Sequence, residues 1–255
     1  MALLKFSNRL LKFNNGVLSY VEAQPDPYNP LNLPPNTIRF KYISGIDPTS
    51  ELEGKGTLTC VDSTENIWDL NFSTCKDLFK YKTNLLEILG ANTAGITNMA
   101  SMFEKCSSLT SVALFDTSNV TTTDFMFENC TSLMSVPAFD THNVMYFGSE
   151  YGGMFAYCNM TTLPAFDCSN AVDIRRMCYN CYYLTSLPKL NNITNKLTKA
   201  DYAFYITQSV TDYSGVELYE ILSSLNPQPS HEFTFNRCAR NGNYDAWSQI
   251  PNGWK

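Results

Sequence analysis

The sequence predicts an α/β solenoid of about six turns of 23–28 residues, with short parallel strands on one side and short helices on the other. A β cap at the N-terminus and a helical cap at the C-terminus complete it. Two observations carry this. "GITNMASMFEKCSSLTSVALFDT" at 95–117 is rewritten 24 positions later as "NVTTTDFMFENCTSLMSVPAFDT" at 119–141. Anchored on one aromatic position, the turns fall at Phe79, Phe103, Phe127, Phe155, Cys178 and Phe204, spaced by 24, 24, 28, 23 and 26 residues. A unit of this size cannot bury its apolar side alone and must stack on its neighbours.

Within one unit, Ile96, Met99, Met102, Phe103 and Cys106 recur at three- and four-residue spacing, which predicts a short helix. Leu109, Val112 and Leu114 follow in a Ser/Thr/Val-rich run that fits a strand. "FDTSNV" then turns the chain, since Asp116, Ser118 and Asn119 bond readily to nearby backbone.

The flanks read differently. Residues 1–35 form an N-terminal tab, with a hairpin around Asn15-Gly16, and a proline-rich linker. Residues 36–66 form a β-rich cap, where Ile38, Phe40 and Tyr42 alternate with Arg39 and Lys41 and "GTLTCVD" is a second strand pairing with the first. The repeats occupy 67–210. Residues 211–255 form a C-terminal cap with an amphipathic helix through Val216, Tyr219, Leu222 and Leu225, N-capped by Ser214. "NYDAWSQIPNGWK" closes the final turn.

Composition excludes several functions. A chain of 255 residues with 44% hydrophobic content can bury a sizeable core, while 16% charge is low against roughly a quarter in average proteins, so the surface is largely neutral and polar. A net charge of −6 leaves no basic face for nucleic acid, and Arg175-Arg176 is the one arginine pair. No apolar run is long enough to insert in a membrane. Read from Met1, the N-terminus lacks the continuous apolar segment of a secretory signal, which implies that the chain is made in a cytoplasm and stays there or leaves by lysis.

Cys106, Cys130, Cys158 and Cys181 share one repeat position and, with the phenylalanines, make the structural core of the repeat. An inward column of small apolar side chains explains them better than disulfides, and Cys178-x-x-Cys181 better than zinc or redox chemistry, because no second such pair completes four ligands. Two histidines, His142 and His231, rule out a multi-histidine metal site, and Asp116 and Asp140 recur at the repeat period as turn residues. No catalytic residue, metal or cofactor is assigned.

The break in the repeat is the four-residue insertion in "NVMYFGSEYGGMFAYC", where Gly148, Gly152 and Gly153 supply flexibility. Tyrosine beside glycine and serine suits contact surfaces. Tyr146, Glu150 and Tyr151 are therefore candidate binding residues, extended by Tyr179, Tyr182 and Tyr183 in the next turn; packing repair and half-buried wall are the competing accounts.

"TNMASMFEKCSSLTSVALFDTSNVTTTDFMFENCTSLMSVPAFDT" resembles the BspA-like leucine-rich repeat family, whose units read much like NVTNMSSMFxxCxxLTSLPxFDTS. The likeness covers residues 92–190 well and 68–91 and 191–207 weakly. It implies a parallel solenoid and surface adhesion or host interaction. The flanks "LPPNTIRFKYISG", "VDSTENIWDL" and "QIPNGWK" are similar to repeat proteins encoded by gut bacteriophages and prophages. Together these imply a non-catalytic, virion-associated adhesin (fibre, tail or capsid decoration) assembled in the host cytoplasm. It would bind a bacterial surface glycan or protein, attach to other virion proteins through its N-terminal region and, as a fibre, form a homotrimer. The alternative is a bacterial cell-surface or secreted adhesin or interaction scaffold.

Overall fold

The computed structural model describes residues 4–6, 9–14, 17–22, 26, 28–239 and 244–255. Strands β1 (Leu4–Phe6), β2 (Arg9–Asn14) and β3 (Val17–Glu22) form an antiparallel sheet, with Asn14 opposite Val17. The turn residues between them, Asn15 and Gly16, lie outside the described residues.

A second sheet follows, built from β4 (Thr37–Tyr42), β5 (Gly56–Asp62), β6 (Ile67–Phe72), β7 (Leu85–Asn92) and β8 (Ser111–Val112) in the order β5-β6-β4-β7-β8. The alternation in β4 buries Ile38, Phe40 and Tyr42 on one face. On the other, Arg39 pairs with Asp69 at 2.7 Å and Lys41 with Glu65 at 2.6 Å. The expected direct pairing of β4 with β5 is replaced by β6, which hydrogen-bonds both, burying Leu70 and Phe72 while Asn71 faces out. β7 changes the topology: it runs antiparallel to β4 and parallel to β8, one repeat onward.

The predicted α/β solenoid is not what the chain forms. No α-helix lies between residues 67 and 210, and after β7 the strands shrink to two residues: β8, β9 (Phe166–Asp167) and β10 (Leu190–Asn191). The architecture is a mixed, mostly antiparallel sheet continued by stacked irregular turns, with helices, among the described residues, only at the C-terminal end. The reason is visible in residues 99–106. The N–H groups of Met102, Glu104 and Cys106 close tight turns on the carbonyls of Met99, Ser101 and Phe103, at 3.0–3.2 Å. The alternate N–H groups, of Met99, Ser101, Phe103 and Lys105, instead donate to Thr122, Asp124, Met126 and Glu128 in the next turn, at 2.7–3.1 Å. Ser101 (φ 55°) and Lys105 (φ 61°) are left-handed, and the same two positions recur at Phe125 and Asn129, Arg176 and Asn180, and Tyr202 and Ile206. A left-handed residue costs about 1–2 kcal/mol and stops helix propagation, so the three-residue spacing belongs to consecutive tight turns.

The stack has its own columns. Phe79, Phe103, Phe127 and Phe155 are buried and stacked with nearly parallel planes in succession, with ring centroids 5.8, 5.4 and 5.7 Å apart. Phe40 meets Phe79 edge-on at 5.1 Å and joins the column to the sheet. Cys178 occupies the same position one turn later, and the aromatic column resumes as Phe204 on Phe235 at 5.6 Å. Beside it, the buried thiols of Cys106, Cys130, Cys158 and Cys181 donate to the carbonyls of Phe79, Phe103, Phe127 and Phe155, at 3.0–3.1 Å. These cysteines are therefore inter-turn donors as well as small apolar groups. Threonines do the same elsewhere: Thr93, Thr117 and Thr141 donate to the carbonyls of Asp116, Asp140 and Asp167, at 2.6–3.0 Å.

At the C-terminal end α1 spans Ser214–Ser224 and α2 Tyr244–Gln249. Ser214 is not the N-cap of α1. It is the first helical residue, and its hydroxyl accepts the Leu187 N–H at 2.8 Å and donates to Asp212. The last turn is met by Trp254, whose carbonyl accepts the Phe235 N–H at 2.9 Å.

Candidate functional site

The insertion is a tight hairpin. Met154 N–H donates to Phe147 O and Ser149 N–H to Gly152 O, both at 2.8 Å, with Gly148 opposite Gly153. Its glycines serve close approach rather than the flexibility expected of them. A Cβ on Gly148 would stand 1.8 Å from the Arg175 carbonyl oxygen, and one on Gly153 2.1 Å from that of Arg176. On Gly152 it would stand 2.1 Å from both Glu128 Oε2 and the Phe125 ring.

Beside this hairpin lies a cleft of about 400 Å³ walled by Glu150, Arg175, Arg176, Asp201, Tyr202 and Glu232. Arg175 is held by the buried Asp173 through a bidentate pair, Nε to Oδ1 at 3.1 Å and Nη2 to Oδ2 at 2.8 Å. Arg176 donates from Nε to the Glu150 carbonyl at 2.9 Å, and its guanidinium carbon sits 4.8 Å from the ring centroids of both Tyr179 and Tyr202. An aromatic ridge continues outward: Tyr179 stacks on Tyr205 at 5.0 Å and meets Tyr157 edge-on at 5.3 Å, and Tyr202 contacts Phe233 at 5.4 Å. Asp201 accepts the Ser230 hydroxyl and the Glu232 N–H, which fixes the far wall. Carboxylates and guanidinium groups over tyrosine faces offer directional hydrogen bonds and flat apolar area together, the combination that recognises polyhydroxylated ligands.

Two acidic side chains lie under the hairpin. Glu128 is 8% exposed, and its Oε2 and the Oδ1 of Asp124 are buried without a hydrogen-bond partner. Burial pushes the Glu128 carboxyl up to about 7 and the Asp124 carboxyl up to about 6.

Of the sequence-derived candidates, Glu150 is in the cleft wall and Tyr179 beneath Arg176. Tyr151 stands at the hairpin tip, 80% exposed. Tyr146 pairs in the inter-turn ladder between Thr122 and Asp173 while its side chain is exposed. Tyr182 and Tyr183 meet edge-on at 5.3 Å, and Tyr183 lines a separate open hollow with Thr131, Met134, Asn159 and Thr161, apart from the cleft. Sequence reasoning missed Arg175, Arg176, Asp201, Tyr202 and Glu232. A signal was available, because Arg176, Tyr202 and Phe233 each stand two residues before the column position held by Cys178, Phe204 and Phe235.

Elsewhere, both ring nitrogens of His142 are engaged, Nδ1 with Asp140 at 2.6 Å and Nε2 with Asn143 at 2.8 Å, on an exposed turn. His231 stacks on Trp254 at 4.0 Å. Asp116 and Asp140 accept the N–H groups of Ser118 and His142, as turn residues do. Cys178 and Cys181 are free and buried, and no group of three or more metal-ligating side chains occurs among the described residues. Among them, too, no helix is long and apolar enough to cross a membrane.

Two overlapping stretches, residues 62–163 and 97–215, match the family described as "Mycoplasma protein of unknown function, DUF285", and together they span more than half of the sequence. The chain belongs to this family. DUF285 is the family of BspA-like surface repeat proteins, so the repeat resemblance is shown at family level. The matched region contains the thiol column, the phenylalanines from Phe79 to Phe204, the hairpin and the Tyr202 wall of the cleft. No curated protein and no solved structure matches the chain.

Proposed function

We propose that the protein is a non-catalytic adhesin whose cleft between the 148–153 hairpin and Tyr202 binds a glycan of the bacterial surface. The observation that carries this reading is the Arg176 guanidinium held between Tyr179 and Tyr202 at the mouth of a polar cleft of about 400 Å³. That volume is in the range of small-ligand sites. The likeness of the flanks to phage-encoded repeat proteins supports a virion as the carrier, with the N-terminal region attached to the particle and a homotrimer if the particle part is a fibre. Membership of a surface repeat family supports the second reading, a bacterial cell-surface adhesin or interaction scaffold using the same cleft.

The test is binding of fluorescently labelled protein to a panel of intact gut bacteria, with surface polysaccharide extracts as competitors. Selective binding, competed by one extract and reduced at least tenfold in a Glu150→Gln, Glu232→Gln double variant, is the expected result. Binding that the double variant retains moves the site away from the cleft, and binding to no bacterium removes the adhesin reading. Structural phage genes beside the coding sequence would favour the virion, and an isolated chromosomal locus the cell surface.

A further inference from the structure

The hairpin that walls the cleft rests on an acid. Gly152 packs so closely over Glu128 Oε2 that no side chain fits between, and the Gly153 backbone lies beside the same carboxyl. The Ser149 side chain faces Asp124. The same hairpin carries Glu150, whose carbonyl holds Arg176 in place. Seat, hairpin and cleft are thus one mechanical unit.

We propose that the 148–153 hairpin is a proton-controlled wall of the cleft, docked while Glu128 is neutral and released when it ionises. The proposal rests on the cleft being the binding site only for its effect on binding; the hairpin movement itself does not depend on it. A buried carboxylate oxygen without a partner is tolerable as part of a neutral acid and costly as part of an anion. The groups facing Glu128 do not cancel such a charge. Glu104 from the preceding turn and Asp124 from its own turn oppose ionisation, the Gly153 backbone and Lys105 favour it, and burial outweighs them all. Tyr157 from the following turn is neutral at physiological pH, and Glu104 is itself engaged by Lys80 at 2.8 Å. Asp124 faces the hairpin beside Asp173 and Arg175, which are paired with each other. Lifting the hairpin admits water to Glu128 and returns it towards its ordinary value of 4.5 from about 7. Linkage then favours the open hairpin as pH rises through this interval, by at most a few hundred-fold.

The experiment is amide hydrogen exchange of the whole chain between pH 5 and pH 8, corrected for intrinsic exchange. Protection of residues 148–154 should fall at least tenfold across this range while residues 99–106 hold steady. Glu128→Gln, neutral at every pH, should keep the hairpin protected at pH 8, and Asp124→Asn should narrow the change. A wild-type hairpin whose protection is constant with pH, or a Glu128→Gln hairpin that loosens as the wild type does, overturns the proposal. Bacterial binding that weakens at pH 8 in parallel, and is rescued by Glu128→Gln, ties the wall to the cleft. A hairpin that loosens while binding is unchanged upholds the device and refutes the cleft as the adhesive site.

Discussion

The sheet of residues 37–92 and the stacked turns that follow use hydrogen bonds of the same kind but display them differently in sequence. In β4 the side-chain period and the backbone pairing period are both two, so Ile38, Phe40 and Tyr42 announce the buried face. In the turns, alternate N–H groups also reach the neighbouring layer, yet the intervening ones fold back on local carbonyls and left-handed residues shift the side chains. Apolar residues then recur every three or four positions, and the ladder between layers is hidden. A periodicity identifies which residues point inward more securely than it identifies the backbone that points them.

The sharpest way to break this comparison is Phe127→Ala. Phe127 touches Phe103, Phe139 and Phe155, so truncation should cost about 3–5 kcal/mol and lower the melting temperature accordingly. A loss confined to a fraction of this would mean that layers repack independently, unlike a sheet.

A second difference is electrostatic. The carboxylates of the sheet surface, Asp69 and Glu65, sit in ion pairs, whereas Glu128 and Asp124 of the turns have folded-state values raised by burial. A raised carboxyl binds more protons folded than unfolded between its two values, so stability falls as pH rises from about 4.5 to about 7 for Glu128, and from about 3.8 to about 6 for Asp124. Chemical denaturation at pH 5 and pH 8 should show a loss on the order of 1–3 kcal/mol at the higher pH, and Glu128→Gln should flatten most of it.

Cys130 separates donor from filler. Cys130→Ala removes both the sulfur and the bond to Phe103 O and should cost about 1–3 kcal/mol. Cys130→Ser keeps a donor and should cost less; the reverse order in urea melts would make packing the whole role of the column. The smallest effect is expected at Ser101, left-handed at φ 55°. Ser101→Gly should stabilise by about 0.5–1 kcal/mol, while the same change at Lys41 in β4 should destabilise by about 1 kcal/mol.

Much of the fold was nevertheless legible. The repeat length, the inward phenylalanine and cysteine positions and the alternating strand β4 follow from residue spacing, because burial selects for side-chain type directly. The backbone of the turns was not legible, since Ser101, Lys105 and Ile206 carry no glycine-like mark of a left-handed conformation; neighbouring layers impose it. Most of the site was hidden for a related reason. Glu150 stood out through the insertion, but Arg176, Tyr202 and Glu232 come from three turns separated by 26 and 30 residues, and only stacking brings them to one cleft.

The thiol ladder has a consequence for where such a chain can live. Eight of its nine cysteines are buried and none is disulfide-bonded, and burial pushes Cys75, Cys106, Cys168 and Cys238 up to about 12, so the reactive thiolate is scarce at neutral pH. Cys60 alone is exposed. The stack neither needs an oxidant to form nor offers one much to attack. A protein built this way keeps the same covalent structure in a reducing cytoplasm and in an oxidising exterior, and can pass from one to the other without refolding.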